Sequence, residues 1–220
     1  TPDGTVAPGS IISIYGDNLS PSLQVGPTNP LSQTLANVTV TVSDRLLPLF
    51  FVSPQQINAQ VPSDLPDGDY TIQVHSLGQP DVVGAFTISR DAPGIFTQQN
   101  DQNLPLALAL HEDGTVVTFD SPARRNETVS IYGTGFGPYD HKVIDGFPIA
   151  STDNISVVDP VTVTTGDIDL HPDWTGAAKN MVGMTVVKLK IIDDMPAAAN
   201  VDLTVLVNGK TSNKVTLPVQ

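Results

Sequence analysis

The feature that most constrains this chain is a duplication. "SIYGDNLSP" (13–21) returns as "SIYGTGFGP" (130–138), identical at Ser, Ile, Tyr, Gly and Pro. "VTVTVSD" (38–44) returns as "VTVTTGD" (161–167), and "DLPDGDYTIQV" aligns with "DMPAAANVDLTVLV" so that Ile72 meets Leu203 and Val74 meets Val205. The order of the matches is kept while the offset grows, from Tyr15/Tyr132 through Val38/Val161 to Ile72/Leu203. That pattern defines two copies of one unit with insertions in the second, chiefly around 139–160 and 170–182. A chain of 220 residues has room for two such units. The expected domains are 1–90 and 91–220, with Ala92-Pro93-Gly94 at the junction.

Each copy carries the same run of strand signals. Ile12 and Ile14 share one face of the first strand, as do their counterparts Val129 and Ile131. A Val/Thr alternation follows, then an apolar run, then a strand with one polar face. In copy one Ile57, Ala59 and Val61 alternate with Gln56, Asn58 and Gln60; in copy two Val187, Leu189 and Ile191 alternate with Val186, Lys188 and Lys190. One buried and one solvated face is the antiparallel signature. The last hairpin turns on Asn208-Gly209, which predicts a type I′ turn. The chain also has 19 prolines and 17 glycines and no convincing amphipathic helix. Roughly seven short strands per ~100 residues predict an all-β chain of two tandem immunoglobulin-like sandwiches. "LALAL" and "TVVTF", joined around Glu112-Asp113-Gly114, predict an extra hairpin opening copy two. Copy one has no room for it before Val6, so its counterpart strand would come from upstream or the sheet edge would stay bare.

Charge and composition then narrow the function classes. The net charge of −13 disfavours nucleic acid and anionic membranes as partners. The absence of cysteine excludes disulfides, thiolate metal sites and cysteine nucleophiles. No apolar run is long enough to span a bilayer, so membrane insertion is not expected. The start, "TPDGTVAPGS", lacks an initiator methionine and reads as a piece of a longer chain, whose targeting signal would lie upstream.

"YGTGFGP" raises the question of a phosphate loop. A dinucleotide fingerprint needs G-x-G-x-x-G and a following helix; here the run is G-x-G-x-G, then Pro138 and a loop. Copy one keeps only Gly16 at that place, in "GDNLSP". The predicted role is a strand-exit turn whose shared glycine needs positive φ, with Asp17-Asn18 tolerating the backbone found around Gly135.

No G-x-S-x-G elbow and no H-E-x-x-H occur among the residues, four histidines (His75, His111, His141, His171) included. Spacing alone would not reveal a triad assembled from distant residues; the reading is of a non-enzyme. The acidic loop residues Asp167, Asp169 and Asp173 are the metal candidates, with Asp67/Asp69 and Asp193/Asp194 in turns. Calcium accepts such oxygens, and Asp in turns is also ordinary. Trp174, with Tyr139 and Phe147 in or near the enlarged loops, either stacks on a sugar or protein partner or caps the core. The Gln56/Asn58/Gln60 ladder is expected to pack against the neighbouring domain or satisfy edge backbone rather than bind an extended ligand.

These residues also carry a resemblance. "VAPGSIISIYGDNLSP", "LPLFFVSPQQINAQVPSDLPDGDY", "APGIFT", "VSIYGTGFGP" and "VNGKTSNKVTLPVQ" resemble an uncharacterised C-terminal module of secreted acidobacterial proteins. Each half is also similar to IPT/TIG, E-set-like immunoglobulin folds. The resemblance implies a secreted or cell-surface, non-catalytic accessory module with no active site to transfer. A spacer, adhesion or protein-interaction unit of a larger protein is the resulting expectation, its partners being other domains of the parent chain and protein or polysaccharide at the cell surface. The alternative is a carbohydrate-binding module built on the copy-two loops around Trp174.

Overall fold

The computed structural model describes residues 4–166, 168–195 and 198–220. Strands are numbered in chain order. In the first copy one sheet runs β1 (Thr5–Val6), β9 (Val82–Ile88), β8 (Gly68–Ser76), β4 (Val38–Val42) and β5 (Arg45–Leu46). The facing sheet runs β2 (Ile11–Tyr15), β7 (Gln56–Gln60), β6 (Leu49–Val52) and β3 (Gln24–Val25). Between them lies a core of Leu19, Val38, Val40, Val42, Leu47, Leu49, Ile57, Ala59, Val61, Val74 and Ile88 with their neighbours. The period-two pattern places these residues: Val38, Val40 and Val42 are buried while Thr39 and Thr41 are only half-buried. Removing each such aliphatic side chain from water contributes roughly 1.5–3 kcal/mol.

The second copy repeats this topology. One sheet runs β10 (Gly94–Ile95), β14 (Thr128–Thr134), β18 (Thr185–Lys190) and β17 (Trp174–Ala177), with β13 (Ala109–Leu110) also on β14. The other runs β11 (Thr97–Gln98), β12 (Leu106–Ala107), β21 (Val215–Val219), β19 (Ala198–Val207), β15 (Val161–Thr165) and β16 (Ile168–Leu170), with β20 (Lys210–Thr211) on β19. The order β2-β7-β6 thus matches β14-β18-β17, and β9-β8-β4-β5 matches β21-β19-β15-β16. The second core gathers Val129, Ile131, Phe136, Val187, Leu189, Ile191, Leu203 and Leu217 among others. The fold is all-β, two immunoglobulin-like sandwiches in tandem. Asn208 and Gly209 have φ of 45° and 78°, both positive as a type I′ turn requires.

Two details differ from the sequence reading. First, copy one has its own edge strand: β1 pairs in parallel with β9, as β12 pairs in parallel with β21. Second, the expected hairpin is confined to its tip: Leu110 bridges Val116, Val117 N–H donates to Ala109 O and His111 N–H donates to Thr115 O, while 106–108 pairs elsewhere. The chain changes sheets at Leu108, β12 joining β21 and β13 joining β14. The backbone partners of 107 and 108 are already taken, since Leu108 N–H donates to Phe96 O and the Gln98 amide donates to Ala107 O and also to Val117 O.

Candidate interaction site at the seam

The strand-exit turns lead to the seam between the sandwiches. The shared glycines Gly16 and Gly133 do not have positive φ, contrary to expectation. They are small because a side chain three residues on folds back over them. A Cβ at Gly16 would come within 3.1 Å of Leu19 Cδ2, and one at Gly133 within 2.5 Å of the Phe136 ring. Leu19 and Phe136 are equivalent core plugs, 0% and 1% exposed. Positive φ falls instead at the next equivalent pair, Asn18 (56°) and Gly135 (79°). In copy two the turn has a second duty: the chain leaving copy one passes against it. Ala92 N–H donates to Gly135 O at 3.0 Å, and a Cβ at Gly133, Gly135 or Gly137 would collide with Gly94 O, Ala92 O or Asp91 Oδ1 respectively.

The 139–160 insertion straps the seam from the other side. A tight turn at 144–147 places Gly146 (φ 79°) against Pro48, and its N–H donates to Gln60 Oε1 at 2.7 Å. Leu31 N–H donates to Gly146 O at 2.7 Å, and Ser63 N–H donates to the Asp145 carboxylate at 3.2 Å. At the sheet edge Ile11 N–H donates to Thr134 Oγ1, which itself donates to Gly183 O. Arg90 forks onto Asp159 through Nε at 2.9 Å and Nη2 at 3.0 Å. The Gln56/Asn58/Gln60 ladder divides accordingly: Gln60 faces the neighbouring sandwich, whereas Gln56 Nε2 and Ser13 Oγ both donate to Asn58 Oδ1.

Both sandwiches wall a crevice of about 400 Å³ here. Leu65, Ile144, Phe147 and Met184 supply apolar surface, and Asp67, Arg90 and His141 supply charge and hydrogen bonding. Ile144 and Phe147 remain 68% and 49% exposed. Tyr139 also lines the crevice, but its hydroxyl is engaged with Thr185 Oγ1 at 2.8 Å, and burial pushes its pKa up. The His141 ring contacts Asp140 at 2.9 Å and thereby holds that carboxyl below its ordinary value. What the crevice offers a ligand is therefore apolar contact with a polar border.

Of the residues singled out from sequence, the structure brings Tyr139 and Phe147 together in the crevice and leaves Trp174 elsewhere. Trp174 neither lines the crevice nor caps the core. It stands on the outward face of β17 in register with Lys188, its ring over Gly176, with Nε1 donating to Ser156 Oγ at 3.0 Å and Lys188 Nζ 5.8 Å from the ring centroid. Asp169 accepts from Thr164 Oγ1 and Asp173 from Thr128 Oγ1; Asp167 lies outside the described residues. Among the described residues no group of three or more His, Cys, Asp or Glu is placed to hold a metal. The seam residues Arg90, Asp91, Asp145, Gly146 and Asp159 escaped sequence reasoning, because charges and glycine in loops carry no signal of a long-range partner.

The fold and seam define a tandem immunoglobulin-like module. Within it, residues 1–87 match the IPT/TIG domain family. No curated protein matches the chain. Among solved structures, the Bacteroides ovatus mixed-linkage glucan utilization locus protein SGBP-B in complex with a heptasaccharide is 12% identical, with a TM-score of 0.37. That alignment covers 99% of this chain and 45% of SGBP-B, so the chain spans less than half of that relative. Murine CEACAM1b is 11% identical over 99% of this chain and 96% of its own, with a TM-score of 0.25. These likenesses assign no ligand and no residue role here. No helix among the described residues is long and apolar enough to cross a membrane.

Proposed function

We propose that this chain is a non-enzymatic extracellular or cell-surface accessory module, a spacer, adhesion or protein-interaction unit of a larger protein. On this reading residues 1–90 and 91–220 are two domains locked as one body. The observation that carries it is the strap: the Asp145-Gly146 turn of one sandwich is hydrogen-bonded into the other at Leu31, Gln60 and Ser63. An isolated linker would leave the two sandwiches free to swing, whereas a seam of buried polar contacts fixes their angle. Small-angle scattering tests this. A single conformation should fit the profile, and a requirement for a broad ensemble of interdomain angles would sink it.

The carbohydrate-binding alternative is best supported at the crevice, where a half-exposed Phe147 ring stands among Asp67, Arg90 and His141. Aromatic faces bordered by planar polar groups suit sugar rings. A glycan array probed with wild type, Phe147→Asp and Trp174→Ala separates the sites. Binding lost in Phe147→Asp and kept in Trp174→Ala supports the crevice, and the reverse pattern returns the site to Trp174. No binding by wild type leaves the spacer and protein-interaction reading alone.

A further inference from the structure

One acid at the seam is buried with an unsatisfied oxygen. Asp91, the first residue of the junction, is 5% exposed. Its Oδ2 accepts from Asn208 Nδ2 at 2.9 Å, but its Oδ1 is buried and meets no donor. What stands beside it is another carboxylate. Both converge over Gly137, where a Cβ would collide with Asp91 Oδ1 and lie 3.0 Å from Asp159 Oδ2. Asp159 is itself fixed by the Arg90 fork, its side chain 13% exposed. With both carboxylates converging on one point and one of them buried, ionising both is disfavoured.

We propose that Asp91 and Asp159 share one proton, with Asp91 as the donor, and that this shared proton is a pH-sensitive clasp between the two sandwiches. Arg90 ends the first sandwich and holds Asp159 of the second; Asp91 follows it in the junction and is held by Asn208 from the β19–β20 turn. The charged groups facing Asp91 are Asp159 and Arg90, with Asp67 acting on Arg90 through charge. One guanidinium thus serves two acids, one of them buried with an unpaired oxygen. The titration directions agree. Burial first, and the Asp159 charge in addition, push Asp91 above the ordinary carboxylate value of 3.8, although the Asn208 hydrogen bond opposes this. Arg90 chiefly draws Asp159 below it. The two acids thus lie on opposite sides of the ordinary value, which puts the proton on Asp91 and leaves Asp159 the acceptor.

The stability contribution of Asp91 is complete below its ordinary value and is lost as pH rises through its raised one. Above that point two anions press together over Gly137, and the clasp loosens. The geometry also dictates a mimic. In Asp91→Asn the amide oxygen keeps the Asn208 bond while the amide N–H donates permanently to Asp159.

The test is a melting series from pH 4 to 8 on wild type, Asp91→Asn and Asp91→Ala, with the Asp91 carboxyl followed by carbon NMR. Expected is a wild-type midpoint that falls towards pH 8, and an Asp91→Asn midpoint that stays flatter and exceeds wild type by about 2–4 °C at pH 7, the shift corresponding to ~1 kcal/mol in a chain of this size. Asp91→Ala should melt below Asp91→Asn throughout. The proposal is overturned if Asp91→Asn melts no higher than wild type at pH 7. It is equally overturned if the Asp91 carboxyl titrates at or below 3.8.

Discussion

Gln60 Oε1 accepts the backbone N–H of Gly146 at 2.7 Å in a site where Gln60 is 2% exposed. A ladder residue of the first sandwich thereby satisfies a turn of the second. Replacing it strands a buried donor, which costs more than the bond itself contributes. Gln60→Ala should destabilise by about 1–3 kcal/mol in denaturant titrations, whereas Gln56→Ala, on the same strand but not at the seam, should change the midpoint little.

The glycine pair predicts an asymmetry between two copies of one motif. Gly16→Ala meets only the end of the flexible Leu19 side chain, so the cost should stay within about 1 kcal/mol beyond the ordinary effect of the change. Gly133→Ala meets the Phe136 ring and the Gly94 carbonyl together, and neither can yield without moving the junction. That variant should lose about 3 kcal/mol or more, or fail to fold. Thermal melts of the two proteins side by side decide it; equal losses would contradict the packing described.

Arg90 governs the acid limb. It holds the Asp159 carboxyl below 3.8. A depressed folded value stabilises above 3.8 and is lost as pH falls through it. Without the guanidinium that contribution is gone, so the Arg90→Met midpoint should shift below wild type at pH 5 and rejoin it as pH falls well below 3.8. Melting midpoints between pH 5 and pH 2 report the shift, and superimposable curves would remove Arg90 from this role.

His111 is buried and bonded at both ring nitrogens. Its Nδ1 lies 2.9 Å from Glu127 Oε1 and its Nε2 3.1 Å from Ser121 O, with the ring 7% exposed. Glu127 also receives Arg124 N–H at 2.7 Å. His111→Leu strips a buried partner from the carboxylate and should cost about 1–3 kcal/mol. His75→Leu, at an exposed ring paired with Asp81, should fall within ±0.5 kcal/mol or so.

How much of this could be read beforehand depends on range. The duplication was visible because "SIYG" and "VTVT" recur in order, and burial followed because Ile57, Ala59 and Val61 alternate with polar neighbours. Both signals are local. The sheet changes at Phe96 and Leu108 were not visible, since apolar alternation in 106–110 runs straight through the crossing. Trp174 illustrates a different limit. Its size argued for a core or a ligand, but the register of β17 against β18 puts it on the outward face beside Lys188. The seam was the least legible part: Asp145-Gly146 reads like any turn until Gln60 and Leu31 stand opposite it. Tyr139 and Phe147 fall in the 139–160 insertion by position alone, yet only the strap shows which cavity they share.

The seat made by Gly133, Gly135 and Gly137 sets a rule for lengthening this molecule. The incoming chain lies where side chains would otherwise be, so the downstream unit of any joined pair must present that bare turn. Copy one, with Asn18 and Ser20 at the corresponding places, is fit to lead and unfit to follow. An engineer stringing further sandwiches behind Gln220 would therefore have to duplicate the second unit and never the first.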